Sequence, residues 1–74
     1  MKIKVRLFAT LRDGREKELD LEMGQSPTLW KILAVLEIKQ EDVALLLING
    51  RDGSFDTLLS EGDTVSMFPP VGGG

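Results

Sequence analysis

The stretch Lys2–Leu7, KIKVRL, decides the fold, because it alternates basic and aliphatic side chains without a break. A period of two predicts a β-strand with one buried and one solvated face. The alternation resumes in Glu18–Met23, ELDLEM, where acidic residues take the place of the basic ones. Between the two stretches, Arg12–Arg15 carries the Asp-Gly pair that is typical of a tight hairpin turn. The sequence therefore predicts an antiparallel hairpin with a basic outer row beside an acidic outer row, a favourable cross-strand arrangement.

Apolar residues at helical spacing follow this hairpin, which predicts one helix of about ten residues with a single apolar stripe. The stripe consists of Leu29, Ile32, Leu33 and Leu36. Thr28 or Ser26 is expected to cap the helix, with Pro27 tolerated at its first turn. Trp30 lies off the stripe, so its ring is expected at the sheet edge or partly on the surface.

The second half of the chain contains two further strands. Val43–Gly50, VALLLING, is a continuous apolar run that ends in an Asn-Gly turn, which favours a strand buried on both sides. The turn-rich segment after it holds at most a short strand, with Phe55 as the expected core anchor. In the last strand, Thr64–Phe68, Val65 and Met67 share one face, and Phe68 belongs to the other.

This order of elements predicts an α+β protein with a β-grasp, or ubiquitin-like, fold. A mixed sheet of four to five strands carries one main helix on one face, because the helix is the only other apolar surface available. The last strand is expected in the middle of the sheet, parallel with the first. Residues 1–68 form the expected domain, and residues 69–74 form a flexible C-terminal tail that ends in Gly-Gly.

Composition restricts the function. The 74 residues include no cysteine, histidine or tyrosine, so the commonest general bases and metal ligands are missing. We therefore expect no catalytic side chains, no metal site and no bound cofactor. Nine basic and twelve acidic residues give a net charge of −3, which argues against a nucleic-acid partner. No stretch resembles a signal peptide or a bilayer span, so a cytoplasmic location without membrane association is expected.

The final stretch, Phe68–Gly74, FPPVGGG, places a stiff proline pair before three residues that have no side chain. Pro69 and Pro70 lack N–H donors and have fixed φ, so they end sheet pairing and direct the tail away from the body. Gly72 and Gly73 present no side chain and allow the backbone to bend, which suits passage through a narrow tunnel. Such a segment is either a chain end without a role or the functional part of the molecule.

The whole chain resembles the MoaD/ThiS sulfur carriers, which are ubiquitin-like proteins that end in Gly-Gly. The likeness lies in VRLFATLRD, in the NGR turn and above all in the ending EGDTVSMFPPVGGG. The Pro-Pro pair is most similar to the small subunit of molybdopterin synthase, and the small archaeal modifiers share the same ending. The segment RDGREK between the first two strands is shorter than in many molybdopterin carriers, so a generic sulfur carrier remains equally open.

The resemblance implies that an adenylating, ubiquitin-activating-type partner uses ATP to activate the Gly74 carboxylate. Conversion to a thiocarboxylate then serves molybdenum or tungsten cofactor (molybdopterin) synthesis, with the large subunit of molybdopterin synthase or another sulfur-accepting enzyme as the second partner. Two alternatives begin with the same adenylate. In one, an amine attacks and the chain is conjugated through Gly74 to lysines of target proteins; in the other, the sulfur serves thiamine thiazole synthesis.

Ordering a glycine tail costs about 1–2 kcal/mol per residue, so a docking surface on the body has to contribute binding energy. Phe8 and Phe68 both fall on the outward parity of strands that are neighbours in this fold. Two aromatic side chains beside the tail are therefore predicted to dock the partner. Arg6 and Lys4 are expected to add electrostatic steering toward acidic partners.

Overall fold

A computed structural model describes residues 1–25 and 27–70 of the chain. Within them, a five-stranded sheet carries one α-helix. The strands are β1 (Lys2–Leu7), β2 (Glu18–Glu22), β3 (Leu45–Ile48), β4 (Arg51–Asp52) and β5 (Thr64–Phe68), and the helix is α1 (Leu29–Leu36). Short 3₁₀ turns span Ala9–Arg12 and Gln40–Asp42. The strand order is β2-β1-β5-β3-β4. The predicted β-grasp fold, with a mixed sheet and one main helix, is confirmed.

The last strand lies in the centre of the sheet, as the sequence predicts. β5 is parallel to β1, with Val65 beside Val5 and Met67 beside Leu7, and antiparallel to β3. The β1–β2 pair is antiparallel, and its register places the basic outer residues of β1 opposite the acidic outer residues of β2. Alternation of side chains thus fixes which face of each strand meets the helix.

The core lies between α1 and one face of the sheet, here called the inner face. Ile3, Val5, Leu7, Val65 and Met67 of the two central strands are fully buried, and the helix contributes Leu29, Ile32 and Leu33. Phe55 is partly buried against this cluster, as predicted for a residue of the turn-rich segment. Each of these aliphatic side chains contributes about 1.5–3 kcal/mol by leaving water, which is why the small domain folds around this layer.

The connection between β1 and β2 is longer than the predicted tight turn. Leu7 donates its N–H to the carbonyl of Lys17, so the hairpin loop comprises residues 8–16 rather than Asp13-Gly14 alone. The Asp-Gly pair still turns the chain locally, with Gly14 at φ +71° and the Arg15 N–H donating to the Arg12 carbonyl. The additional residues bring Leu11, which is 5% exposed, into the core.

The prediction that Val43–Gly50 is buried on both sides is wrong. β3 is present, but Leu45 is 43% exposed because the face of the sheet opposite α1, here called the outer face, has no second layer over it in the described part of the chain. Leu46 points to the inner face and is buried. A continuous apolar run contains no period of two, so it does not show which side chains face solvent.

The helix has eight residues and ends in the left-handed residue Glu37. Thr28 occupies the predicted N-cap position, but its side chain makes no capping hydrogen bond, and Ser26 lies outside the described residues. Trp30 is 40% exposed, as expected; its indole N–H donates to Asp56 at 2.8 Å, and its ring lies 5.0 Å from that of Phe55. No helix in the described ranges has the length and apolar character to cross a bilayer.

Replacing Ile32 by alanine is expected to lower the free energy of unfolding by about 2–5 kcal/mol, because it opens a cavity in the core between α1 and the sheet. Urea denaturation measures the change. Val35→Ala, on the exposed side of the same helix, is the control and should change stability by no more than about 0.5 kcal/mol. Equal effects of the two substitutions would contradict the assignment of the buried helix face.

Candidate functional site

The rings of Phe8 and Phe68 are stacked at the end of the sheet where the central strand β5 ends. Their centroids are 4.2 Å apart and their planes differ by 12°. Both side chains are half-buried. The predicted neighbourhood of the two aromatics is therefore present, although each ring covers part of the other and neither is fully exposed.

The central ladder brings the two rings together. Phe8 follows the last residue of β1 and donates its N–H to the carbonyl of Met67 at 3.2 Å. Because β1 and β5 are parallel and in register, the residue after β1 lies beside the last residue of β5. The position of the aromatic pair is thus a consequence of strand register rather than of a local motif.

Arg6 lies beside the same aromatic pair. Its guanidinium carbon is 5.5 Å from the centroid of the Phe8 ring, a cation–π distance, and its Nε is 3.5 Å from a carboxylate oxygen of Glu18. The Nζ of Lys4 is 3.6 Å from the other oxygen of Glu18. Glu18 balances part of both positive charges. Arg6 therefore contributes to the site through the contact of its guanidinium with the Phe8 ring as well as through attraction of an acidic partner.

An apolar groove runs from the aromatic pair to Pro69 and Pro70, where the described part of the chain ends. Its volume is about 390 Å³, and all of its lining side chains are apolar: Phe8, Ala9, Ala44, Leu45, Phe68, Pro69 and Pro70. Ala44 donates its N–H to the carbonyl of Phe68 at 2.8 Å, which fixes the groove floor against the end of β5. An exposed apolar groove of this kind is suited to a hydrophobic side chain of a protein partner.

Pro69 and Pro70 also line a second cavity, of about 260 Å³, with Thr10, Leu11, Arg15, Ile38 and Asp42. Here the Arg15 guanidinium donates to the carbonyl oxygens of Leu36 and Glu37 at the end of α1, each at 3.4 Å, and to two carbonyls of the β1–β2 connection at 3.3 Å. Arg15 therefore joins the helix end to the connection, and it lines the same cavity as the proline pair.

The structure thus places four of the predicted site residues, Phe8, Phe68, Pro69 and Pro70, in one groove, with Arg6 beside it. The residues Gly72, Gly73 and Gly74 lie outside the described residues. Over residues 1–25 and 27–70, acidic side chains form no group arranged to hold a metal ion.

Sequence reasoning missed Leu45, Ala44 and Ala9 as parts of the groove. A usable signal exists for Leu45, because an antiparallel neighbour of Phe68 has to share its face of the sheet. Arg15 has no such signal, since its carbonyl partners at the helix end are 21 and 22 residues away in sequence.

The chain is similar in sequence and in fold to several known proteins. The ThiS family matches residues 5–74 of the chain. The small archaeal modifier protein 3 of Haloferax volcanii is 32% identical over 92 residues, covering 100% of both chains. A structure described as molybdopterin converting factor, subunit 1, from Pyrococcus furiosus is 29% identical with a TM-score of 0.77, covering 96% of this chain and 99% of that one.

A further similar structure is the complex of subunits 1 and 2 of molybdopterin-converting factor from Helicobacter pylori 26695. One of its chains is 26% identical with a TM-score of 0.69 and covers 100% of each chain. Together, the fold and these similarities define a small ubiquitin-like protein of the sulfur carrier and modifier class. The chain belongs to the ThiS family.

The contact between Phe8 and Phe68 is expected to contribute to stability beyond the burial of each ring. In a double-mutant cycle with Phe8→Leu and Phe68→Leu, urea denaturation should give a coupling energy of about 0.5–1.5 kcal/mol, the range for stacked aromatic pairs. Phe8→Leu combined with Val35→Ala is the control and should be additive within about 0.5 kcal/mol. A coupling energy of zero for the aromatic pair would show that the rings are not in contact in solution.

Proposed function

We propose that this protein is a sulfur carrier whose Gly74 carboxylate is adenylated by a ubiquitin-activating-type enzyme, converted to a thiocarboxylate and used in molybdopterin synthesis. The observation that carries the proposal is the apolar groove around Phe8 and Phe68, which ends at Pro69-Pro70, directly before the glycine tail. Membership of the ThiS family and the likeness to subunits of molybdopterin-converting factor support it.

The chemistry explains why a terminal carboxylate needs a partner. A carboxylate is a poor electrophile, because a nucleophile that attacks it has to expel oxide. Reaction with ATP joins the carboxylate oxygen to AMP and releases pyrophosphate, which gives a mixed anhydride with a good leaving group. Hydrosulfide then attacks the carbonyl carbon, AMP leaves with the bonding electron pair, and the product is a thiocarboxylate. In this scheme ATP is bound and used by the partner.

The body contributes the binding energy that the tail lacks. Ordering the glycines costs about 1–2 kcal/mol each, and they offer only backbone groups in return. Truncating a desolvated aromatic anchor at the centre of a protein interface typically costs about 2 kcal/mol or more in binding, so docking on the Phe8–Phe68 pair and Leu45 is the proposed source of the energy that offsets this cost. Arg6, held by Glu18, adds a cationic rim to the apolar groove.

The proline pair sets the direction in which the tail meets the partner. Pro69 lacks an N–H and so cannot extend the ladder of β5 toward its neighbours. Pro69 and Pro70 lie between the groove on one side and the cavity beside Arg15 on the other. The four residues that follow span at most about 14 Å when extended. A partner that reacts with the terminal carbonyl therefore has to dock directly at this end of the sheet.

A second function, conjugation to target proteins through Gly74, is favoured by one observation. The relative that is 32% identical over the full length of both chains is a small archaeal modifier protein. In this case an amine attacks the adenylated carboxyl group instead of hydrosulfide, and an isopeptide bond forms. The same groove would serve the activating enzyme in both functions.

Incubation with a cognate activating enzyme, ATP and a sulfide donor is expected to replace one oxygen of Gly74 by sulfur, as measured by intact mass. A chain with one alanine added after Gly74 is the control and should remain unchanged. Formation of target conjugates without any sulfur-exchanged species would favour the modifier function. Absence of both products would overturn the proposal.

The contribution of the groove is measured separately by steady-state kinetics of adenylation. Phe68→Ala should lower kcat/KM about tenfold or more, because it removes an aromatic anchor. Trp30→Ala is the matched control, since Trp30 is also partly exposed but belongs to α1, on the inner side of the sheet. Equal losses in the two folded variants would rule out the groove as the docking surface.

A further inference from the structure

β2 forms one edge of the sheet, and its outward backbone groups are unpaired within residues 1–25 and 27–70. Backbone hydrogen bonds join Leu7 to Lys17 and Met23 to Met1. The backbone N–H and C=O groups of the odd-numbered residues of β2 therefore point toward β1. In an antiparallel pair the intervening residues point their N–H and C=O groups the other way. Glu18, Asp20 and Glu22 therefore present open hydrogen-bonding groups along the edge.

The edge has few of the features that usually prevent pairing with another strand. It contains no proline and no charged side chain on the inner face, where Leu19 and Leu21 remain only partly buried. The opposite edge, β4, has two residues and offers little to a partner. The only barrier on β2 is the acidic row on its outer face.

That row selects the partner by charge. A second copy of β2 would place acidic residues beside acidic residues, which is unfavourable. A strand with lysine or arginine at alternate positions would instead bring cations beside the acidic row and aliphatic side chains beside Leu19 and Leu21. β1 already pairs with β2 in this way, with Lys4 beside Asp20, Arg6 beside Glu18 and aliphatic side chains on the other face.

We propose that the outward edge of β2 binds an extended segment of a partner protein in which basic and aliphatic residues alternate, and that this segment adds a sixth, antiparallel strand to the sheet. The backbone groups of Glu18, Asp20 and Glu22 supply the hydrogen bonds. Asp20 supplies most of the charge preference, since the carboxylate of Glu18 already contacts Lys4 and Arg6 and that of Glu22 contacts the N-terminal ammonium. β1 separates this edge from β5, so the surface is distinct from the groove at the tail.

The test uses the full chain and three short capped peptides: alternating valine and lysine, the same composition in two blocks, and alternating valine and glutamate. Amide hydrogen exchange by NMR is measured at millimolar peptide. The alternating basic peptide should slow exchange at Glu18, Asp20 and Glu22, and the other two peptides should leave it unchanged. No slowing at these amides, or equal slowing by the block or acidic peptide, would overturn the proposal.

Two variants test the two parts of the recognition. Asp20→Lys should weaken binding of the basic peptide about fivefold, whereas Glu41→Lys, an equal charge change at an exposed site elsewhere, should not. Asp20→Pro removes the central outward N–H of β2 and should abolish addition of the peptide strand. The substitution is at a position of an edge strand whose N–H faces solvent, where proline is tolerated. If the basic peptide binds Asp20→Lys as tightly as the unsubstituted protein, the charge preference is overturned. This result does not depend on whether Asp20→Pro folds.

Discussion

The structure depends on the parallel pairing of β1 with β5 in the centre of the sheet. This pairing joins the first and last strands of the chain, so it closes the domain around almost its entire length. Fully buried Val5, Leu7, Val65 and Met67 lie along it, and each contributes about 1.5–3 kcal/mol by leaving water. Loop closure over such a separation is costly in entropy, and this apolar strip offsets that cost.

The same ladder determines where the candidate functional site lies. Since the two strands run in the same direction, the residue after β1 and the last residue of β5 meet at the same end of the sheet, and their rings stack. Leu45 of β3 joins them from the other side of β5. The proposed partner surface and the position of Pro69-Pro70 beside it therefore arise from one feature of the topology. We regard this coincidence as the physical basis of the proposed carrier function.

Much of this arrangement is predictable from local patterns. Strict alternation in β1, β2 and β5 predicts their faces, and outward parity predicts the neighbourhood of Phe8 and Phe68. The exposure of Leu45 is not predictable from its own segment, because a run of apolar residues has no periodicity. The nine-residue loop between β1 and β2 follows from the pairing of Leu7 with Lys17, which the local Asp-Gly signal does not show.

The most direct test of the central claim is the exchange of the Lys4 amide hydrogen, which donates to the carbonyl of Asp63 at 2.9 Å within the β1–β5 ladder. We predict that its opening free energy equals the global free energy of unfolding from denaturation. The amide of Gly53, which donates to Leu46 near the short β4, should open at lower free energy. Exchange of Lys4 as fast as that of Gly53 would contradict the account.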